Sequence, residues 1–256
     1  MNDALAGKHA LVTGGGRGIG AAISAALITH GARVTLLGRD RARLEATAET
    51  LPGQVSFVIA DITEHSAVVA AFAAARERSG DIDILINNAG QATSAPLHKT
   101  DTALFTRMLA VNLTGAYHCT YEAAPPMIAR RYGRIVNVAS TAGLVGYAYC
   151  AAYCAAKHGV VGLTRALALE FATHNITVNA VCPGYTDTDI VRDAVANIVK
   201  KTGRSEIEAV AALVANNPQK RLVQPAEVAN AVLWLCLPGT ESMTGQSLVV
   251  AGGELT

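Results

Sequence analysis

His9–Leu27, HALVTGGGRGIGAAISAAL, reads as a short apolar strand, a glycine turn and an Ala-rich helix. Gly14 permits the tight turn, Gly18 lets backbone approach a pyrophosphate and Gly20 lets helix pack on strand, while the helix N-terminus offers its positive dipole end to phosphate. A glycine cluster alone is a weak signal; one that follows the first strand and opens the first helix predicts a dinucleotide site.

Outward from this stretch the same unit repeats. HALVT, RVTLL, VSFVI, DILIN, RIVNVAS, ITVNAV and SLVV are seven β-branched runs, separated by helical patterns near 18–30, 40–50, 64–79, 101–129, 151–173 and 225–237. That order predicts a single-domain α/β Rossmann fold spanning 1–256, a doubly wound, seven-stranded parallel sheet with helices on both faces. Ligands then bind at the carboxyl ends of the strands. Residues 187–222 break the rhythm with two amphipathic helical patterns and no strand, which predicts a helical lid over the site with Gly203 as its flex point.

The composition is 51% hydrophobic and 16% charged with a formal net charge of +1. A buried sheet is affordable, and no broad basic field exists for nucleic acid or anionic membrane. MNDALAGKHA lacks the apolar core of a signal peptide and no stretch approaches the ~18 uncharged apolar residues of a membrane span, so a cytoplasmic protein is expected. Cys119, Cys150, Cys154, Cys182 and Cys236 form no CxxC pair, and the seven histidines form no metal array. Cys150 and Cys154 are read as small core hydrophobes, and no metal is expected.

Where an NAD site would end its second strand in an acid, this chain has Gly38 followed by Arg39. A glycine makes room and a guanidinium suits a 2′-phosphate, with Arg17 as a second cation, so NADP(H) is favoured. Asp40, one position late, keeps NAD(H) possible. Asp61 can accept from an adenine amino group or cap the next helix, and the amides of Asn87-Asn88-Ala89-Gly90 can satisfy turned backbone while the cofactor passes.

Tyr153 and Lys157 lie one helical turn apart in YCAAK, with Ser140 upstream. A phenol with a reference pKa of about 10 keeps its proton near neutrality, and an ammonium at i+4 is expected to lower that value and ease proton transfer to a developing alkoxide. TGGGRGIG, NNAG, VNLTG, IVNVAS, YCAAK and CPGYTDT, in this order across the whole chain, resemble the short-chain dehydrogenases/reductases. The resemblance implies Tyr153 as general acid/base, Lys157 lowering its pKa and holding the nicotinamide ribose, Ser140 bonding the substrate oxygen and Asn112 supporting a water-linked proton relay. It also implies cofactor contacts from Gly14, Gly16, Arg17, Gly18, Ile19, Gly20, Arg39, Asp61, Ile62, Asn88, Ala89 and Gly90. Pro183, Gly184, Thr186 and Thr188 would clamp the nicotinamide carboxamide.

KHGVVGLTRALALE, NITVNAVCPGY, RLVQPAEVA and the long lid are similar to acyl-thioester ketoreductases of the actinorhodin type, which implies a 3-oxoacyl thioester or another apolar or aromatic ketone. QATSAPLHKT after NNAG lacks the Pro-Gly-Gly of those enzymes. Arg130 and Arg131 could dock an acyl carrier protein, with His174 at the second basic position. Hydroxybutyrate dehydrogenases share KHGVVGLT, but Cys150 replaces their carboxylate-binding lysine, so a small free acid is disfavoured. Gln91, Leu144, Tyr147, Tyr149 and Ile190 are expected to line an apolar pocket. Related enzymes pair the helices near 101–129 and 151–173 in homotetramers. An NAD-dependent secondary alcohol or 3-hydroxyacid dehydrogenase is the alternative activity; a non-catalytic dinucleotide sensor is the competing class, and the presence of Ser140, Tyr153 and Lys157 together argues against it.

Overall fold

The computed structural model describes residues 3–255; the first two residues of the opening stretch and the last of the expected 1–256 domain lie outside it. All seven expected strands form: β1 (His9–Thr13), β2 (Arg33–Gly38), β3 (Val55–Ile59), β4 (Ile84–Asn87), β5 (Gly133–Val138), β6 (Ile176–Pro183) and β7 (Ser247–Val250). They make one parallel sheet in the order β3-β2-β1-β4-β5-β6-β7. The order reverses between β1 and β4, which opens a crevice at their carboxyl ends.

Period-two alternation within each strand supplies a core on both faces. Val12, Leu36, Ile86 and Val136 face α1 (Gly18–Thr29) and α9 (Pro225–Cys236), whereas Leu11, Leu37, Leu85 and Ile135 face α3 (His65–Ser79) and α5 (Gly115–Arg130). The second helix, α2 (Arg41–Thr50), is capped by Asp40, whose carboxylate accepts from the Arg43 N–H at 3.2 Å. Among the described residues no helix is long and apolar enough to cross a membrane.

A buried amide chain fixes the helices that carry the site. Asn87 Nδ2 donates to Thr120 Oγ1 at 3.0 Å and to Asn137 Oδ1 at 2.9 Å, and Asn137 Nδ2 donates to Thr164 Oγ1 at 2.8 Å. These bonds link α5 through β4 and β5 to α6 (Ala151–Phe171).

The stretch near 101–129 is not one regular helix. It resolves into α4 (Thr102–Leu109), a π-turn (Ala110–Thr114) and α5. Asn112 Nδ2 donates to the Met108 carbonyl at 3.0 Å, inserting a side chain into the ladder, which is a recognised cause of such an interruption. The expected lid forms as α7 (Asp189–Thr202) and α8 (Glu206–Leu213), with Gly203 at φ 70° between them and a Ser205/Glu208 capping box opening α8.

Candidate active site

Thr13 and Asn88 stitch the crevice together where β1 and β4 end. Thr13 Oγ1 accepts from the N–H groups of Asn88 and Ala89, both at 3.0 Å, and Asn88 Nδ2 donates to the Thr13 carbonyl at 2.9 Å. Gly14 and Gly18 adopt φ +65° and +52°, left-handed conformations that L side chains disfavour. A Cβ on Gly20 would lie 2.3 Å from the Gly14 carbonyl oxygen, so the helix start packs on the turn itself. These features form a backbone cradle at a helix N-terminus, which fits the pyrophosphate of a nicotinamide dinucleotide.

The cradle opens into a cleft of about 1260 Å³. That exceeds the ~300–1,000 Å³ common for a single small-molecule site and leaves room for two ligands side by side. Its walls include Gly14, Gly16, Arg17, Gly18, Ile19, Arg39, Asp61, Ile62, Asn88, Ala89, Gly90, Asn112, Ser140, Tyr153, Lys157, Pro183, Gly184, Thr186 and Thr188. Every residue expected at the catalytic and cofactor positions is therefore brought to one cavity, except Gly20, which supports the cradle from behind.

Asp61 does not cap α3, whose N-cap is Glu64; it closes the turn before that helix, where Oδ1 accepts from Thr63 N at 3.0 Å and from Thr63 Oγ1 at 2.8 Å, and Oδ2 pairs with Arg39 Nη1 at 3.2 Å. Burial works to raise its pKa, but the Thr63 hydrogen bonds and the Arg39 guanidinium together hold it below the usual carboxylate range.

Lys157 is buried at 4% exposure, and its Nζ donates to the Val138 carbonyl at 2.8 Å. Burial lowers its pKa to about 8. The Tyr153 phenol is pushed up to about 12 by burial, with the Ser140 hydroxyl pulling the other way. Here the sequence expectation needs correction. The ammonium is aimed at a carbonyl and sits 5.7 Å from the Tyr153 ring centroid, so desolvation, not the lysine, governs the phenol in this arrangement. Asn112 is clamped to the loop after Gly90, and a Cβ on Gly90 would meet Asn112 Oδ1 at 2.7 Å.

At the substrate end the structure divides the expected residues. Gln91, Tyr147 and Ile190 line the cleft; Leu144 and Tyr149 do not. Leu144 follows a 3-10 turn (Thr141–Gly143) and packs against the small core cluster that includes Val160 and Val161. Tyr149 adopts φ 65°, which turns its side chain to solvent while its carbonyl accepts from Ala95 N at 2.8 Å. Cys154 is buried as expected, but Cys150 is half-buried and lines the cleft, because it sits at the start of α6 where the helix meets the cavity.

Residues not singled out beforehand complete the site: Thr13 between two strand ends, Arg43 and Asp189 at the mouth, and Tyr185 beside Tyr147 with ring centroids 6.4 Å apart. Glu254 accepts from the Tyr147 hydroxyl at 2.6 Å. The tyrosine in CPGYTDT was a visible signal for Tyr185; nothing local marks the others.

A dinucleotide cradle opening beside a phenol, a serine and a buried lysine defines an NAD(P)-dependent oxidoreductase acting between CH–OH and C=O groups. The chain belongs to the short chain dehydrogenase family, whose model matches residues 8–199. It is 40% identical over 252 residues to a ketoacyl reductase assigned to the granaticin polyketide synthase of Streptomyces violaceoruber, covering 95% of this chain and 92% of the relative. An acetoacetyl-CoA reductase of Shinella zoogloeoides is 37% identical over 249 residues, covering 96% and 98%. The crystal structure of an actinorhodin polyketide ketoreductase variant with NADPH superposes with a TM-score of 0.93 at 38% identity, covering 96% of this chain and 97% of that one.

Proposed function

We propose that the chain reduces a neutral ketone, either a 3-oxoacyl thioester or another apolar or aromatic ketone, with NADPH as reductant and Tyr153 as proton donor. The observation that carries this reading is the convergence of Ser140, Tyr153 and Lys157 on the cavity that also holds the glycine cradle. The coenzyme supplies a hydride when bound. A phenol with its pKa near 12 arrives protonated at neutral pH and donates to the oxygen of a polarised carbonyl. Ser140 orients that oxygen, and Lys157, still largely cationic below about 8, favours the phenolate left behind. Asn112 keeps the Gly90–Gln91 backbone in place and supports the relay towards Lys157. Pro183, Gly184, Thr186 and Thr188 hold the carboxamide end of the coenzyme.

NADPH is favoured because three cations, Arg17, Arg39 and Arg43, line this end of the cleft; Asp40, the alternative NAD partner, lines it too but caps α2 and pairs with Arg43 Nε at 3.2 Å. The substrate walls supply no cation beyond Lys157, and Asp193 faces the cavity from α7, which disfavours an anionic substrate. The names of the relatives support a ketoacyl or acetoacetyl group. Arg130 is paired with Asp81 and Asp83, and Arg131 donates to the Thr173 carbonyl at 2.8 Å, so a coenzyme A thioester or free ketone fits better than an acyl carrier protein. Tyr117 and Tyr121 on α5 and Leu169 on α6 are exposed apolar surface consistent with homotetramer assembly through these helices, which sedimentation tests.

The test is NADPH consumption with acetoacetyl-CoA, diketones and aryl ketones, in the wild type and in Tyr153→Phe. Turnover that the substitution abolishes supports the reading. Silence across the panel despite tight NADPH binding replaces it with a dinucleotide sensor.

A further inference from the structure

Asp189, the first residue of α7, closes an ion bridge across the mouth of the cleft. Its Oδ2 lies 2.9 Å from Arg17 Nη1 of the glycine loop and 3.5 Å from Arg43 Nη1 of α2. Its Oδ1 lies 3.5 Å from Arg192 Nη1, and Arg192 also pairs with Asp187 at 3.0 Å. The start of the lid also lies close over the glycine loop: a Cβ placed on Gly18 would stand 3.2 Å from Thr188 Cγ2. The cations that could read a phosphate are thus already satisfied by the chain's own carboxylates, Arg39 by Asp61 and Arg17 and Arg43 by Asp189.

We propose that Asp189 is a specificity-determining residue: an internal anion that competes with the 2′-phosphate of NADPH for Arg17 and Arg43, narrowing the chain's preference for NADPH over NADH. This rests on the NADPH reading above. Specificity is a difference of two affinities, and a like charge already seated on the recognising cations subtracts from only one of them. NADH carries a hydroxyl where NADPH carries the phosphate, so it does not contend with the carboxylate. The pyrophosphate is common to both coenzymes, which lets the experiment separate the two anions. The bridge also ties α7 to the glycine loop.

The test is direct titration of NADPH and NADH by nicotinamide fluorescence with the wild type, Asp189→Asn and Asp189→Ala. Both substitutions are expected to tighten NADPH on the order of fivefold, the size of one well-placed exposed ion pair, and to leave NADH within about twofold. Added salt is expected to shrink the NADPH gain, since exposed charges are screened. Equal tightening of both coenzymes assigns Asp189 to the pyrophosphate and overturns the proposal, as does no change in either. Arg39→Ala in the same titration tests the reading beneath. If wild type prefers NADH and Arg39→Ala leaves NADPH unmoved, the NADPH reading fails and takes this inference with it. If Arg39→Ala weakens NADPH while the Asp189 variants bind like wild type, only the role of Asp189 is lost. Circular dichroism of each variant keeps folding out of the comparison.

Discussion

Asn112 and Gln91 exchange hydrogen bonds in both directions. The amide Nδ2 donates to the Gln91 carbonyl at 2.9 Å, and Oδ1 accepts the Gln91 N–H at 3.2 Å. Only a side chain with a donor and an acceptor on one carbon can close this ring, and it hangs from the π-turn that splits the helical stretch. Asn112→Ala leaves two backbone groups in a partly buried loop without partners, a cost of about 1–3 kcal/mol. A melting temperature several degrees lower is expected, together with a fall in kcat because Gly90 and Gln91 line the cleft. Asn112→Asp, which accepts but cannot donate, should recover neither; restored activity in that variant would show that the ring is dispensable.

Tyr153→Phe removes the proton donor without touching the cradle. Loss of a general acid is worth roughly 10²–10⁴-fold, so kcat should fall by at least the lower figure while the NADPH dissociation constant stays near wild type. Stopped-flow turnover and a fluorescence titration on the same preparation check the pair of outcomes.

Burial of the Lys157 ammonium works against folding. Its pKa falls from 10.5 to about 8 on burial, so the folded protein carries an ammonium that the unfolded chain holds more readily. At pH 7 that difference amounts to about 3 kcal/mol against folding. Removing the bond to Val138 returns about 1 kcal/mol of the gain. Lys157→Met is therefore expected to be inactive yet to unfold at higher urea than wild type. The penalty is complete below the folded pKa and fades as pH rises from about 8 towards 10.5, so the advantage of the variant should shrink across that window. Urea midpoints at pH 7, 9 and 10 would show it; a variant less stable than wild type at pH 7 contradicts the assignment.

His9 sets an acid limit. Its ring is fully buried, with Nδ1 2.8 Å from the Gly80 carbonyl and Nε2 2.8 Å from Thr35 Oγ1, and burial lowers its pKa from 6.5. Above the unfolded value both states are neutral and the residue costs nothing. As pH falls below about 6.5 the unfolded chain takes up a proton that the folded one refuses, so stability drops by up to ~1.4 kcal/mol per pH unit until the folded ring protonates. Chemical denaturation from pH 7.5 to 5.5 should show this slope in wild type and a flatter one in His9→Gln.

Glu254 reaches back to accept a 2.6 Å hydrogen bond from the Tyr147 hydroxyl. Burial first, and then this carboxylate, raise the Tyr147 pKa, so the phenol stays neutral and its donor is spent. Tyr147→Phe and Glu254→Gln should therefore shift KM for the ketone more than kcat. Equal losses in both constants would place Tyr147 in the chemistry itself.

Much of this was legible in one dimension because the decisive residues are local. The strand, turn and helix of residues 9–27 and the Tyr153/Lys157 spacing each lie within a single element, and strands buried on both faces announce themselves as short β-branched runs. What escaped is long-range or conformational. Asp189 meets Arg17 across 172 residues and Glu254 meets Tyr147 across 107, and no local pattern encodes either pairing. The π-turn accompanies the reach of Asn112 Nδ2 to the Met108 carbonyl, a conformational choice that the residue types of 101–129 do not dictate. Tyr149 stands beside pocket-lining Tyr147 and Cys150 in the chain, and only its left-handed backbone and exposure show that it points away.

The unbroken parallel order of the sheet gives the molecule a working edge and an idle one. At the idle edge Gly31, Gly53 and Gly80 turn the chain into β2, β3 and β4, and none of the three borders the cleft. A fluorophore, a surface tether or a fused partner attached there would leave the cleft unobstructed, which makes that side the natural handle for a coenzyme biosensor or an immobilised catalyst.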